Sequence, residues 1–135
     1  MKRIVATLAN MRVSPIVFTI ALGLSANALA QSWERFPTYP GGSELCHQRV
    51  YGNTAEIHWT AYIASDPPQA VTAYYEARLG KPETVKDEAR FRAKREGVVE
   101  RVLSVHPVDG SYPRCGKAPD PSARTVLIVS RMTPR

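Results

Sequence analysis

The N-terminal thirty residues constrain the fold most, because their pattern is typical of a segment that is removed from the mature protein. A basic region that begins at Lys2 precedes an apolar run at residues 13–24. Small residues at Ala28 and Ala30 then provide the site that signal peptidase recognises. The apolar run is too short to favour the alternative, an uncleaved membrane anchor. We therefore predict a signal peptide at residues 1–30.

The mature chain, residues 31–135, has the length of a single exported domain with one hydrophobic core. Three of the 18 lysine and arginine residues lie in the signal peptide, whereas all 12 acidic residues follow it. The mature formal charge is therefore 15 minus 12, or +3, against +6 for the full chain. So small a charge argues against nucleic acid as a partner. Because no later segment is apolar enough to span a membrane, we predict a soluble periplasmic or secreted domain.

Two cysteines, Cys46 and Cys115, are the only cysteines of the sequence. An even number of cysteines in an exported protein favours a disulfide, because the thiols enter an oxidising compartment. The predicted bridge would close a loop of roughly 70 residues and stabilise the fold by on the order of 4 kcal/mol. It would also tie the N-terminal arm to the last long loop of the chain.

Three segments carry clear sequence signals of β-strands, and a short fourth segment could pair with the first of them. Residues 55–64 alternate apolar and polar side chains, and residues 46–51, before a turn at Gly52, could pair back with them. Residues 98–106 and 124–132 are rich in β-branched side chains. The second of these is so continuously apolar that we expect it to be a central strand.

A helix is predicted from Pro67 to Leu79, and Gly80 is expected to end it. Asp66 suits the N-cap position, and Gln69 completes a pattern similar to a capping box. Apolar side chains recur at helical spacing within this segment. We expect four of them to face the sheet: Val71, Tyr74, Tyr75 and Leu79.

The sequence leaves residues 83–96 open between a helix and a strand. Their small apolar residues fit a helical stripe, but such a helix would bury little apart from alanine. We favour a strand from Ala89 to Lys94 that turns at residues 96–97. In a strand, Phe91 faces the core while the intervening basic residues face outward.

The order of these elements predicts an α+β domain. Its antiparallel sheet is expected to have about four strands and to be covered on one face by a single main helix. No internal repeat or low-complexity segment interrupts the mature chain.

The turn at residues 39–42, with the sequence Tyr-Pro-Gly-Gly, and the segment from Asp66 to Leu79 resemble a recurring pattern in uncharacterised bacterial exported domains. In that pattern a YPG arm leads to a strand, and then to a helix with a DPP start and an aromatic pair. Tyr74 and Tyr75 stand at the place of that pair. The motifs are all structural, so the resemblance implies an architecture and no known activity, cofactor or catalytic residue.

The histidines and cysteines do not form a recognisable catalytic or metal-binding pattern. Adjacent Cys46 and His47 do not have the spacing of a zinc site. His58 and His106 could serve as the base and acid of a small secreted nuclease, but no pattern places them in one cleft. We therefore predict no metal, no cofactor and no catalytic residue. A hydrolase that uses His58 and His106 is the alternative.

Two groups of residues are candidates for ligand binding. Arg90, Arg92 and Lys94 lie close together and could contact an anionic ligand, the alternative being a solvated strand face that discourages aggregation. Tyr39 and Tyr62 could line a groove, although aromatic residues in so short a domain mostly fill its core. We predict a non-catalytic, disulfide-stabilised binding module. Its partner would be a protein, a peptide or an anionic ligand of the bacterial envelope.

Overall fold

One antiparallel sheet and one helix form the part of the chain that the computed structural model describes, residues 35–135. The predicted signal peptide lies outside these residues. The elements are β1 (Ser43–Tyr51), β2 (Ala55–Ala64), α1 (Pro68–Leu79), β3 (Glu83–Val85), β4 (Glu88–Arg92), β5 (Glu100–Pro107) and β6 (Thr125–Pro134). The sheet order is β1-β2-β6-β5-β4-β3, and every neighbouring pair is antiparallel.

Within residues 35–135 the predicted α+β class with a single helix is confirmed, but the sheet has six strands rather than about four. The pairing of residues 46–51 with β2 is also confirmed, within the longer strand β1. The two edge strands explain the undercount. β3 has only three residues, and most side chains of β1 are exposed, so neither strand shows the apolar alternation that identifies a half-buried strand.

The start of α1 differs from the prediction. Pro67 occupies the N-cap position, and no side chain caps the helix, so the predicted roles of Asp66 and Gln69 are wrong. The carboxylate of Asp66 instead accepts a hydrogen bond of 2.6 Å from the hydroxyl of Tyr39. The backbone carbonyl of Asp66 accepts another from Thr125 Oγ1. Asp66 thus fixes the helix entry through tertiary contacts rather than through a local cap.

The buried face of α1 consists of Val71 and Tyr75, whose side chains are fully enclosed. Tyr74 is half-buried and packs against the same core. The prediction for Leu79 is wrong, because this residue is 39% exposed. Residues 76–79 are all exposed, so the last turn of the helix extends beyond the core.

The sheet has a hydrophobic cluster on each face. On the face that α1 covers, here termed the helix side, the cluster contains Phe36, Tyr39, Ala64, Val71, Tyr75, Phe91, Leu103, Val105, Leu127 and Val129. On the opposite face, here termed the disulfide side, it contains Leu45, Trp59, Ala61, Val126 and Ile128. β6 contributes to both clusters and lies between β2 and β5, as expected for a continuously apolar central strand.

The disulfide between Cys46 and Cys115 is confirmed, with its Cα atoms 6.5 Å apart. It joins β1 to the long loop between β5 and β6. Two other residues of that loop, Val108 and Tyr112, pack against the cluster on the disulfide side. The loop therefore covers part of this face as the helix covers part of the other.

The strand interpretation of residues 83–96 is confirmed. β3 and β4 form a hairpin, and Phe91 is buried on the helix side. A bridge between Glu96 and Val99 encloses the predicted turn, in which Gly97 has a φ of 57°. That positive φ favours glycine.

Candidate functional site

The predicted basic residues Arg90 and Arg92 lie on the disulfide side of β4. The register of β4 with β5 places Arg90 opposite Ser104 and Arg92 opposite Val102. The two side chains remain partly exposed, 35% for Arg90 and 52% for Arg92. Lys94 is exposed beyond the end of β4.

The structure places Tyr39 and Tyr62 in the core of the helix side rather than in an open groove. Tyr39 is buried and its ring makes an edge contact with Tyr74, at a centroid distance of 5.0 Å. Burial and the hydrogen bond to Asp66 raise the pKa of Tyr39 to about 12. Tyr62 is half-buried against the same cluster. Within the described residues, Tyr39 is therefore part of this core and Tyr62 borders it.

A groove of about 500 Å³ lies on the disulfide side, beneath the loop that follows β5. It crosses β2, β6, β5 and β4, and its floor carries the polar side chains of Ser104, His106 and Ser130. Apolar side chains of Ile57, Trp59, Val102, Ile128 and Tyr112 complete its surface. Arg90 and Arg92 lie at its β4 end.

His106 and Ser104 form a buried hydrogen-bonded pair in the floor of the groove. The Oγ atom of Ser104 is 2.7 Å from Nε2 of His106, which is only 4% exposed. Burial lowers the pKa of His106, although Glu88, the backbone of Ser111 and Asp87 act in the opposite direction. The imidazole is therefore neutral at neutral pH. The backbone of Ser111 raises the pKa, as a carbonyl does when it accepts the proton of a ring nitrogen. The proton is then on Nδ1, and Nε2 accepts the hydrogen bond from the hydroxyl of Ser104.

Tyr112 forms the loop wall of the groove. Its ring lies 6.0 Å from that of His106, and its hydroxyl donates to the backbone carbonyl of Val108. Arg114 lies over the Tyr112 ring at 4.3 Å. Because the disulfide of Cys115 attaches this part of the loop to β1, it also positions the wall.

The two histidines of the hydrolase alternative lie on opposite faces of the sheet. His58 shares the helix side with Thr60 and Ala64, whereas His106 lines the groove on the disulfide side. His58 also contacts the carboxylate of Glu56. His58 and His106 therefore cannot act on one substrate atom from a common cleft.

A larger depression, of about 890 Å³, lies beside the start of α1. Its charged lining residues are mixed in sign: Lys86 and Arg124 are basic, and Asp87, Glu88 and Asp109 are acidic. The start of α1 beside this depression consists of Pro67 and Pro68, which have no backbone N–H to donate to a ligand. The smaller groove is the better candidate, because buried polar atoms, aromatic surface and two arginines converge there.

Within residues 35–135, no three residues with His, Cys, Asp or Glu side chains are grouped so that they could hold a metal ion. The helix in this part of the chain is neither long nor apolar enough to cross a membrane. No family model matches the sequence, and no curated protein or solved structure is significantly similar to it.

Sequence reasoning identified Arg90 and Arg92 but did not assign a functional role to Ser104, Tyr112 or Ser130. Strand alternation was sufficient to place Ser104 and His106 on one face, since they are two residues apart. Nothing local in the sequence indicates that Tyr112 folds over that face, because its position depends on the path of a long loop.

Proposed function

We propose that the protein is a non-catalytic binding module whose groove on the disulfide side accepts a small organic anion. The observation that carries this proposal is the convergence of Arg90 and Arg92 with a buried polar pair and aromatic side chains in one groove. Small-molecule sites typically combine an apolar lining with a few fixed polar groups.

The composition of the groove supports a ligand that has both an apolar and an anionic part. Trp59, Ile128 and Tyr112 provide apolar surface, and Arg90 and Arg92 provide planar guanidinium donors suited to carboxylate, sulfonate or phosphate. Glu88 contacts Arg90 through Nε and Nη2, which orients the guanidinium but offsets part of its charge. Arg92 is also paired, with Glu83 at 3.5 Å and with Glu100 at 3.8 Å. A ligand with a single anionic group fits this balance better than a highly charged one.

The proposed location is the bacterial periplasm or the extracellular medium. The disulfide supports it, because such bonds persist in oxidising compartments. The predicted signal peptide supports it independently, on the sequence pattern of residues 1–30.

Binding can be tested with anilinonaphthalene sulfonate, an aromatic anion whose fluorescence rises in apolar surroundings. We expect saturable binding to the mature protein with one site per chain. The double variant Arg90→Gln/Arg92→Gln should bind about tenfold more weakly or worse, because hydrogen bonds to a charged group are lost.

The matched control is Arg78→Gln, which removes one positive charge from the exposed end of α1, away from the groove. This variant should bind the dye like the wild type. Equal binding by the wild type and the double variant would refute the role assigned to the groove.

A hydrolase is the second candidate, now with a different pair of residues. Ser104 Oγ lies within hydrogen-bond distance of Nε2 of a neutral histidine, which is the relation of a nucleophile to its base. Attack of Oγ on an ester carbonyl would transfer the Ser104 proton to His106, which would return it to the leaving alkoxide. Water would then release the acyl group from Ser104.

A fluorophosphonate probe distinguishes this candidate from the binding module, because it phosphonylates an activated serine with loss of fluoride. A binding module should remain unlabelled at Ser104 after prolonged incubation with the probe. Labelling that Ser104→Ala abolishes, and that His106→Gln suppresses, would instead establish the hydrolase.

A further inference from the structure

The disulfide side of the sheet is divided into a charged end and an uncharged end. Where β4 and β5 form this face, its charged side chains are those of Glu88, Arg90, Arg92 and Glu100. Where the described strands β1, β2 and β6 form it, no position that faces this side has a charged side chain, because the charged residues of these strands lie on the helix side. A ligand that lies along the whole face therefore meets charge only at the β4 end.

The polar side chains in the floor of the groove already have hydrogen-bond partners within the protein. Ser104 and His106 bond to each other, and the hydroxyl of Ser130 donates to the backbone carbonyl of Val102 at 3.4 Å. Ser130 and Val102 lie opposite each other on β6 and β5, between the arginines of β4 and the apolar residues of β2. Because a buried polar group that is already satisfied needs no further partner, the part of a ligand above this floor can be apolar.

An exposed apolar strip continues the groove to the edge of the sheet. Ile57, which lines the groove, is opposite Val50 of β1 and Met132 of β6. Val50 is 48% exposed and Ile57 is 37% exposed, so a ligand can still remove apolar surface from water here. From Arg92 on β4 to Val50 on β1 there are four strand intervals, or about 19 Å at the usual strand spacing.

We propose that the ligand of the groove is a single-chain amphiphile, such as a long-chain fatty acid, whose linear alkyl chain extends across the sheet to Val50. This rests on the proposed function, which assigns the anionic head to Arg90 and Arg92. A carboxylate matches the planar guanidinium group. A compact aromatic anion covers only the part of the face near the arginines, whereas an extended alkyl chain follows the apolar surface from the groove to β1.

Isothermal titration of the mature protein with octanoate and with tetradecanoate tests the alkyl chain. Both are used at concentrations at which light scattering shows no aggregates. We expect tetradecanoate to bind at least about thirtyfold more tightly than octanoate, because even a partly buried methylene contributes a fraction of its transfer free energy. The stoichiometry should be one per chain for both ligands.

Val50→Asp tests where the chain ends. The new carboxylate should weaken tetradecanoate binding by about tenfold, because a charged group opposes contact with the alkyl chain. Octanoate, whose chain is too short to reach β1, should bind as it does to the wild type. Val50 is exposed, so the fold should persist, which a thermal melt verifies. Val50→Thr keeps a β-branched side chain and should give a smaller loss for tetradecanoate alone.

The matched control is Val98→Asp, which makes the same change at an apolar residue that is 61% exposed in the turn between β4 and β5. Val98 does not line the groove, so both carboxylates should bind this variant like the wild type. A loss of tetradecanoate binding as large as that in Val50→Asp would show that the chain has no defined path, and would overturn the proposal.

The remaining outcomes separate this proposal from the proposed function. Saturable binding of both the dye and octanoate, with no gain for tetradecanoate, would overturn the alkyl-chain proposal and leave the proposed function standing. A gain for tetradecanoate that neither Val50→Asp nor Val50→Thr reduces would also overturn it. No binding of the dye or of either carboxylate would contradict the proposed function and this proposal together.

Discussion

His106 makes the stability of this protein depend on pH. The unfolded imidazole has a pKa of about 6.5, and burial lowers the pKa of His106 in the folded state. Below about pH 6.5 the unfolded chain takes up a proton at this imidazole, whereas burial opposes protonation in the folded chain. The free energy of unfolding therefore decreases as the pH is lowered. Above about pH 6.5, the contribution of His106 to stability is fully present.

Urea unfolding of the wild type and His106→Gln, measured at pH 8 and pH 5, tests this linkage. The wild type should lose more stability than the variant between the two pH values, because glutamine does not titrate. Identical losses in the wild type and His106→Gln would show that His106 is not the group responsible.

The candidate binding residues differ in how far the sequence alone predicts their positions. The basic side chains of Arg90 and Arg92 could be predicted because charge alternation along a strand directs them away from the core. Tyr39 was misassigned because its hydroxyl finds a buried partner in Asp66, which a sequence does not reveal. Ser104 and His106 are two residues apart, but their burial depends on the loop that covers them.

Among the secondary-structure elements, α1 allows a direct comparison of its buried and exposed turns. Val71→Ala should lower the free energy of unfolding by on the order of 1–3 kcal/mol, because Val71 is fully buried. Leu79→Ala should change it by less than about 0.5 kcal/mol, as expected for an exposed position. Chemical denaturation measures both. A loss for Leu79→Ala as large as that for Val71→Ala would mean that the last turn packs on the sheet.

The central strands of the sheet were predictable, whereas the full extent of the two edge strands was not. β2 alternates and β6 is continuously apolar, so each has a pattern that reflects burial on one or both faces. β1 is an edge strand with exposed side chains, and only its pairing with β2 defines its full length. The helix cap was mispredicted for a related reason, since Asp66 contacts Tyr39 across 27 positions of sequence.

For the whole molecule, the disulfide connects stability to the shape of the groove. Its cysteines are 69 positions apart, so the double variant Cys46→Ala/Cys115→Ala should lose about 2–5 kcal/mol of stability. The loop that carries Tyr112 would also lose its attachment to β1, and we expect weaker binding of the dye. Urea unfolding and fluorescence titration measure the two effects. Unchanged dye affinity in the folded double variant would show that the disulfide does not position the groove wall.

The most direct test of the groove as a binding site is an amide chemical-shift titration of the mature protein with anilinonaphthalene sulfonate. We expect the largest saturable changes at Val102, Ser104, Ser111, Tyr112 and Ser130, with little change in α1. In Arg90→Gln/Arg92→Gln the same amides should respond only at a higher dye concentration. Saturable changes confined to the helix side, or none in the groove, would contradict the account.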